Sequence, residues 1–433
     1  MRPGCRYGIL IDFGSTYTKI VLADMKSGEL IHSCHYLSTV STDATIALKQ
    51  CLGVAEKYIG AYETKHALKL ASSSAAGGLR MGVCGLSASI SLQAGKIAAF
   101  GAGGKILGSA VGKLKKTDTD ALDSLPLEII LFTGGYENGS TAALLHNARM
   151  LSMSEKNIPV IYAGNSKISS EIRSIFLSRG KECYLAQNII PQIGELNKAD
   201  VEIIIRDLFM KRIVNMKGLS EVSKYLDEIV MPTPKAVLSA GELLCKGTAK
   251  QEGWGELMIV DIGGATTDVH SYADSISHQG AKIVGTPEPF SKRTVEGDLG
   301  LNESKESLIK EAGLPADGIT DEELACHAAA ISARRHAGRL VRTVSAGEKL
   351  IQYGKDLSAV KTVIGTGGPI VYNPRAREVL LSVTADEREA EVLLPQEVCT
   401  MLDREYVLFA AGLLREVDEE IAMSLMKQSI TEV

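Results

Sequence analysis

Long apolar runs, paired cysteines and an excess of positive charge are all missing from this chain. No apolar stretch reaches the ~18 residues that a membrane-crossing helix needs. One of the longer runs, residues 406–414, is too short. The eight cysteines are scattered from Cys5 to Cys399 without a Cys-x-x-Cys pair, which argues against a disulfide scaffold or a zinc site and leaves ordinary thiols. The eight histidines show no His-x-x-x-His spacing; His32 and His35 read as strand-surface residues and His270 as part of a strand. Aromatic residues are only 5% and the net charge is −5. Sparse rings offer little stacking to single-stranded nucleic acid, and a negative balance gives no general attraction to DNA, RNA or acidic membranes. A strand begins near Gly8, leaving no room for a signal peptide, so the cytoplasm is the expected location.

What is present is a globular composition, 45% apolar and 23% charged over 433 residues, from which two or three compact units are expected. Forty-two glycines suit many tight α/β turns. The informative stretch is Ile259-Val260-Asp261-Ile262-Gly263-Gly264-Ala265-Thr266-Thr267-Asp268-Val269. An apolar strand runs into a carboxylate, two glycines turn the chain, and hydroxyl residues lead out. Glycines let backbone N–H groups approach phosphate oxygens, and a carboxylate beside them suggests a divalent metal between the two. One such stretch alone is more often a plain β-turn. The same grammar returns in Ile9-Leu10-Ile11-Asp12-Phe13-Gly14-Ser15-Thr16-Tyr17-Thr18-Lys19, and a third glycine-rich turn follows an apolar run in Val363-Ile364-Gly365-Thr366-Gly367-Gly368-Pro369. Two half-sites far apart in sequence suggest two similar domains facing across a cleft, each giving one phosphate loop and one carboxylate.

In this order the three turns resemble the phosphate-1, phosphate-2 and adenosine motifs of the actin, sugar kinase and DnaK-type chaperone superfamily. Residues 231–238 (Met-Pro-Thr-Pro-Lys-Ala-Val-Leu) look like its first connecting motif and residues 410–414 (Ala-Ala-Gly-Leu-Leu) like its second. A closer resemblance, spanning nearly the whole chain, rests on residues 71–81 (Ala-Ser-Ser-Ser-Ala-Ala-Gly-Gly-Leu-Arg-Met), 160–165 (Val-Ile-Tyr-Ala-Gly-Asn) and 293–300 (Arg-Thr-Val-Glu-Gly-Asp-Leu-Gly). These look like the glutamate mutase accessory protein L family, often called MutL or GlmL and unrelated to the mismatch-repair protein of that name. The resemblance implies an α/β fold of two ribonuclease H-like, actin-like ATPase domains around a nucleotide cleft. It also implies an ATP-dependent reactivating chaperone for an adenosylcobalamin-dependent mutase. Asp12 and Asp261 would hold Mg²⁺ and act in catalysis. Gly14, Ser15 and Thr16 would face one side of the phosphate chain, Gly263, Gly264 and Thr266 the other, and Gly365, Gly367 and Gly368 would make room for adenosine. The partners implied are mutase subunits and ATP or ADP.

Along the chain, residues 7–37 read as a three-strand meander, and Thr42-Asp43 can cap a helix to about residue 59. Strands at 127–133 and 159–163, each followed by a helix, indicate a largely parallel sheet. Gly134, Gly135 and Asn165 fall at its carboxyl end, as turn residues or as ligand contacts. Two further helices are expected between residues 198 and 227, and one from 321 to about 342 with acidic residues in its first turn. The expected first domain covers residues 1–235, with an insertion near 67–116, and is completed by 400–433; the second covers 236–399.

Two decoys fail. Gly101-Ala102-Gly103-Gly104-Lys105 has Ile106 where a dinucleotide loop needs its third glycine, and residues 108–113 are one residue short of a P-loop, with Leu114 where Ser or Thr belongs. One departure from the superfamily matters. DnaK-type chaperones carry a glutamate, which helps position the attacking water, where this chain has Met231, so nucleotide binding is better supported than fast hydrolysis. Glu296 or Asp298 could supply a carboxylate instead. The rivals are a small-molecule kinase, for which no general base stands out, and a non-hydrolysing actin-like scaffold.

Overall fold

The computed structural model describes residues 5–14, 16–39, 43–74, 79–214, 222, 224–315, 318–343 and 349–433. The chain opens as the expected meander, β1 (Tyr7–Phe13), β2 (Tyr17–Asp24) and β3 (Leu30–Leu37), followed by helix Ala44–His66. The Asp43 carboxylate accepts the Thr45 N–H at 2.8 Å and starts that helix. Gly60, at φ +83°, interrupts it close to its expected end. Strand β4 (Leu68–Ser73) then pairs parallel with β1.

Beyond β4 the chain builds a separate sheet from β5 (Arg80–Gly85), β6 (Lys105–Val111), β7 (Ile129–Gly134), β8 (Val160–Gly164) and β9 (Cys183–Leu185). Its order is β6-β5-β7-β8-β9, every neighbouring pair parallel. Such a sheet is covered on both faces, which is why β7 reads as an unbroken apolar run. Met81, Val83, Ile129 and Leu131 pack into the core on one side, and Cys84, Ile130 and Phe132 into the core on the other. The sequence expectation differs here. The strands at 127–133 and 159–163 belong to this sheet, and the boundary near 67–116 does not match it.

The chain returns as β10 (Glu228–Pro232) and helix Thr233–Lys246. It continues through β11 (Leu257–Ile262), β12 (Thr267–Tyr272), β13 (Lys282–Val284), β14 (Ser291–Glu296), β15 (Arg339–Thr343), β16 (Lys349–Tyr353), β17 (Thr362–Thr366), β18 (Cys399–Leu402) and the short β19 (Thr431–Glu432). Two sheets of this part share one topology. The first runs β10-β4-β1-β2-β3, the second β14-β12-β11-β17-β18 with β19 added at its edge. In each, a three-strand antiparallel meander is extended by two parallel strands beside its first strand. That repeated plan is the ribonuclease H-like duplication that the resemblance implied.

By density of contacts the chain divides into a unit of residues 1–76, 213–283 and 289–433, and a second of residues 77–212 and 284–288. Both ribonuclease H-like sheets lie in the first unit, and the five-stranded parallel sheet is the second. The first unit also holds helices Thr233–Lys246 and Val407–Arg415, which share one apolar core. They approach so closely that a Cβ on Gly412 would lie 2.0 Å from the Ala236 carbonyl oxygen. The helix expected to run to about residue 342 spans Asp321–His336. Ala337 leaves the helix in an extended conformation, Gly338 packs against the Lys355 backbone where a side chain would not fit, and β15 then pairs with β16. Of the two helices expected between residues 198 and 227, Ala199–Val214 is present, and the other falls mostly outside the described residues. Among the described residues no helix is long and apolar enough to cross a membrane.

Candidate active site

Asp12 and Asp261 occupy equivalent places in the repeated topology. Each lies near the end of the first strand of its sheet, just before the turn into the second. Asp12 is 1% exposed. Its Oδ1 accepts the Thr233 hydroxyl at 2.5 Å and the Ser72 hydroxyl at 3.4 Å, and its Oδ2 lies 3.8 Å from the Lys19 ammonium. Burial raises its pKa above the ordinary value, while Lys19 and the two hydroxyls pull it back. Strand pairing dictates the Lys19 contact, since Lys19 stands directly across the hairpin from Asp12.

Asp261 is less enclosed and less well partnered. Part of its surface stays open, and among the described residues no hydrogen bond reaches its carboxylate. Desolvation by its surroundings pushes its pKa up to about 6; the Asp268 and Asp403 charges add to the rise, while Lys19 and Arg293 oppose it. Asp403 is buried and also pushed up to about 6 by desolvation, against hydrogen bonds and the Lys19 charge. Lys19 is therefore the shared cation: it acts on Asp12 from the first hairpin, Asp261 from the second, and Asp403 after β18. Sequence reading missed Lys19 and Asp403. Counting outward from the first turn gives Lys19 opposite Asp12, whereas Asp403 stands four residues ahead of its helix, outside the usual capping position, and carries no such signal.

The glycines do different work from that expected. The Gly14 and Gly263 amides close their own hairpins, donating to the Tyr17 and Thr266 carbonyls at 3.1 and 2.8 Å, so they are not bare. Gly264 and Ala265 have amides without a backbone partner among the described residues, and Gly264 is exposed. Thr16 is exposed at the first turn, and Ser15 lies outside the described residues. Thr266 donates its hydroxyl to Asp268 at 3.1 Å. In the third turn, a Cβ on Gly365 would meet Ile370, Leu380 and Leu402, so that glycine serves apolar packing. A Cβ on Gly367 would meet the Ile262 carbonyl at 2.2 Å and Asp261 Oδ1 at 2.6 Å, so it serves the close approach of the second and third turns. Only Gly368 faces open space, with Tyr372 at 3.9 Å.

A loop after β14 braces the second hairpin. Leu301 donates to the Gly263 carbonyl, and Asn302 and Glu303 both donate to the Gly264 carbonyl. Arg293 pairs with Asp268 through Nε at 2.8 Å. Glu296 and Asp298, the suggested substitutes for a missing glutamate, are both held by Arg335, at 2.7 and 2.9 Å, and Arg335 also holds Glu311 at 2.8 Å. Met231, in the position that raised the question, is buried. In the second unit, the Asn165 side chain donates to the carbonyls of Tyr136 and Glu137, so it shapes that sheet's carboxyl-end turn.

A cavity of about 430 Å³ opens beside Lys19, with His35, Tyr372, Arg404 and Tyr406 among its lining residues. Neither Asp12 nor Asp261 lines it, so it borders the carboxylates without containing them. Among the described residues no group of three or more His, Cys, Asp or Glu side chains is placed to hold a metal ion. The donor chemistry of one open and one hydrogen-bonded carboxylate suits a hydrated ion such as Mg²⁺, which keeps several waters and takes few protein ligands.

The family described as MutL protein matches residues 8–317 and 314–430. The protein called Protein MutL from Clostridium tetanomorphum is 35% identical over 458 residues, covering 98% of this chain and 99% of that one. Among solved structures, xylulose kinase from Bifidobacterium adolescentis is 11% identical, with a TM-score of 0.31 and coverage of 98% and 95%. An Aquifex aeolicus Ppx/GppA phosphatase is 11% identical, with a TM-score of 0.23 and coverage of 99% and 94%.

Proposed function

This chain belongs to the MutL protein family, and on that premise we propose that it is an ATP-driven accessory chaperone of the cytoplasm. Its client is an adenosylcobalamin-dependent mutase, either glutamate (methylaspartate) mutase or a related aminomutase, from which it releases inactivated cobalamin. What supports the reading is that two hairpins of one repeated plan each carry a carboxylate just ahead of the turn, with the Lys19 ammonium 3.8 Å from the first of them. Lys19 acts on Asp12 and on Asp261, although these lie far apart in sequence.

In this reading ATP lies between the hairpins. Lys19 neutralises part of the phosphate charge, and the free amides of Gly264 and Ala265 donate to its oxygens. Asp12 and Asp261 would hold Mg²⁺ largely through its waters, and that ion offsets the charge that builds on the phosphates. Thr16, with Gly14 and Ser15, borders one side of the chain; Thr266, with Gly263, borders the other. The third turn, Gly365 to Gly368, borders the nucleoside. A triphosphate gripped from both sides favours closure, and its conversion to diphosphate releases one grip. Driving such a hinge from 1:99 to 99:1 takes about 5.5 kcal/mol of differential binding, a size that a metal-bound triphosphate touching both walls can supply. Buried, apolar Met231 favours slow turnover over a fast intrinsic ATPase.

The test is purified protein with ATP, with and without an inactivated mutase. Phosphate release stimulated by the mutase, together with recovery of mutase activity, supports the reading. Phosphate transferred to a metabolite supports a kinase. Filaments or a static complex without phosphate release support the scaffold that Met231 keeps in view.

A further inference from the structure

Asp403 follows β18, and its amide donates to the Gly365 carbonyl at 2.9 Å. It is 1% exposed, yet both of its oxygens are occupied. Oδ1 accepts the Val407 amide at 2.7 Å; Oδ2 accepts the Leu408 amide at 3.3 Å and the Thr366 hydroxyl at 3.2 Å. One carboxylate therefore caps the first turn of helix Val407–Arg415 and also grips the last residue of β17. A carboxylate at a helix start satisfies amides that have no partner within the helix. Usually the residue immediately before the helix does this. Here that residue is Tyr406, which makes no side-chain cap and sits in the left-handed region at φ +53°. A bulky residue there is disfavoured and persists only where its surroundings hold it.

The surroundings are specific. The Tyr406 ring lies 4.6 Å from the Lys19 ammonium, which itself lies 3.8 Å from Asp12. The first turn of the helix thus has a tether to each hairpin. One runs through Tyr406 and Lys19 to Asp12. The other runs through Asp403 and Thr366 to Gly367, whose backbone abuts Asp261 and Ile262. The helix is also seated hard on helix Thr233–Lys246 at Gly412, so a shift of its first turn is passed to a neighbouring helix rather than absorbed by loose packing.

We propose that Asp403 is a positioning residue that joins the Thr366–Gly367 turn to helix Val407–Arg415, so that a ligand engaging Asp261 or Lys19 also repositions the helix. This rests on the nucleotide reading above. With both oxygens taken inside the fold, Asp403 transmits the ligand's presence without touching it. Loss of the carboxylate separates binding from response: the nucleotide still binds, and the helix no longer follows.

Hydrogen exchange at the Val407, Leu408 and Phe409 amides, with and without Mg-ATP, tests this alongside calorimetric titration of Mg-ATP. In the unaltered chain Mg-ATP should change exchange at these amides by about tenfold or more. Asp403→Ala should bind Mg-ATP within about threefold of the original affinity, while its exchange changes less than about twofold. Asp403→Asn keeps one acceptor for the helix amides and should respond to an intermediate degree. If Asp403→Ala fails to fold by circular dichroism, Asp403→Asn decides the matter. A variant that binds Mg-ATP and keeps the full exchange response overturns the proposal and leaves the nucleotide reading standing. If the unaltered chain binds no Mg-ATP, the nucleotide reading fails, and this proposal with it.

Discussion

The two hairpins share a topology and differ in electrostatics. Asp12 sits in a finished environment, with hydroxyls from β4 and from the start of helix Thr233–Lys246 on one oxygen and a lysine by the other. Asp261 sits in an unfinished one, partly open, near two other carboxylates and without a hydrogen bond among the described residues. A duplicated fold thus gives one carboxylate that helps hold the protein together and one that the protein strains to keep charged. The second kind is the one a cationic ligand rewards, because a bound cation removes the cost of burying its charge.

This contrast can be broken at several points. The largest effect is expected from Asp261→Ala, which should lower mutase-stimulated ATP turnover by about 100-fold or more while circular dichroism stays unchanged. Unchanged phosphate release would refute its role. Next is Gly367→Ala. A methyl group there would press on the Ile262 carbonyl and Asp261 in a backbone conformation with φ +88°, and urea unfolding should show a loss of about 3 kcal/mol. Asp12→Ala should cost about 2 kcal/mol in the same measurement, because it strands the Thr233 and Ser72 hydroxyls and the Lys19 ammonium. Asp261→Ala should cost far less; equal losses would mean that the two carboxylates are not opposites.

The smallest effect concerns pH. The Asp261 pKa is raised in the fold, from 3.8 to about 6, so the folded protein holds that proton more tightly than the unfolded chain. This group's contribution to stability is therefore greatest at low pH and declines as pH rises from 3.8 to about 6. Asp261→Asn should remove the decline, raising nucleotide-free stability at pH 7 relative to pH 5 by about 1–2 kcal/mol against the unaltered chain. Thermal melts at the two pH values measure it, and identical pH dependence in both proteins would place the carboxylate in a wetter setting.

Much of this was legible in the sequence, because hairpins are local. An apolar strand, a carboxylate, glycine and hydroxyls fix a turn from adjacent residues, and the second sheet announces itself by repeating the first. Sheet membership is not local. The strands at 127–133 and 159–163 look alike whether they extend the first sheet or found another, and only the parallel pairing of β7 with β5 and β8 decides between these. The glycines were read by residue type, whereas what a missing Cβ makes room for depends on tertiary neighbours: core side chains at Gly365, a second turn at Gly367. Arg335 holds three acids, Glu296, Asp298 and Glu311, from separate segments, a meeting that no sequence spacing encodes.

The placement of the five-stranded sheet has a consequence for how the chain is made. Strands β4 and β10 are hydrogen-bonded neighbours, yet the chain between Ser73 and Glu228 includes the whole of that sheet. During synthesis the opening meander emerges early and must wait with the β4 edge unpaired, a template for errant strand addition. Early collapse of residues 79–212 would draw the two ends of this long excursion together and lower the entropy lost when β10 docks. A ribosome stall before Glu228 would leave that edge exposed, so nascent chains of that length are where a chaperone of folding would be needed.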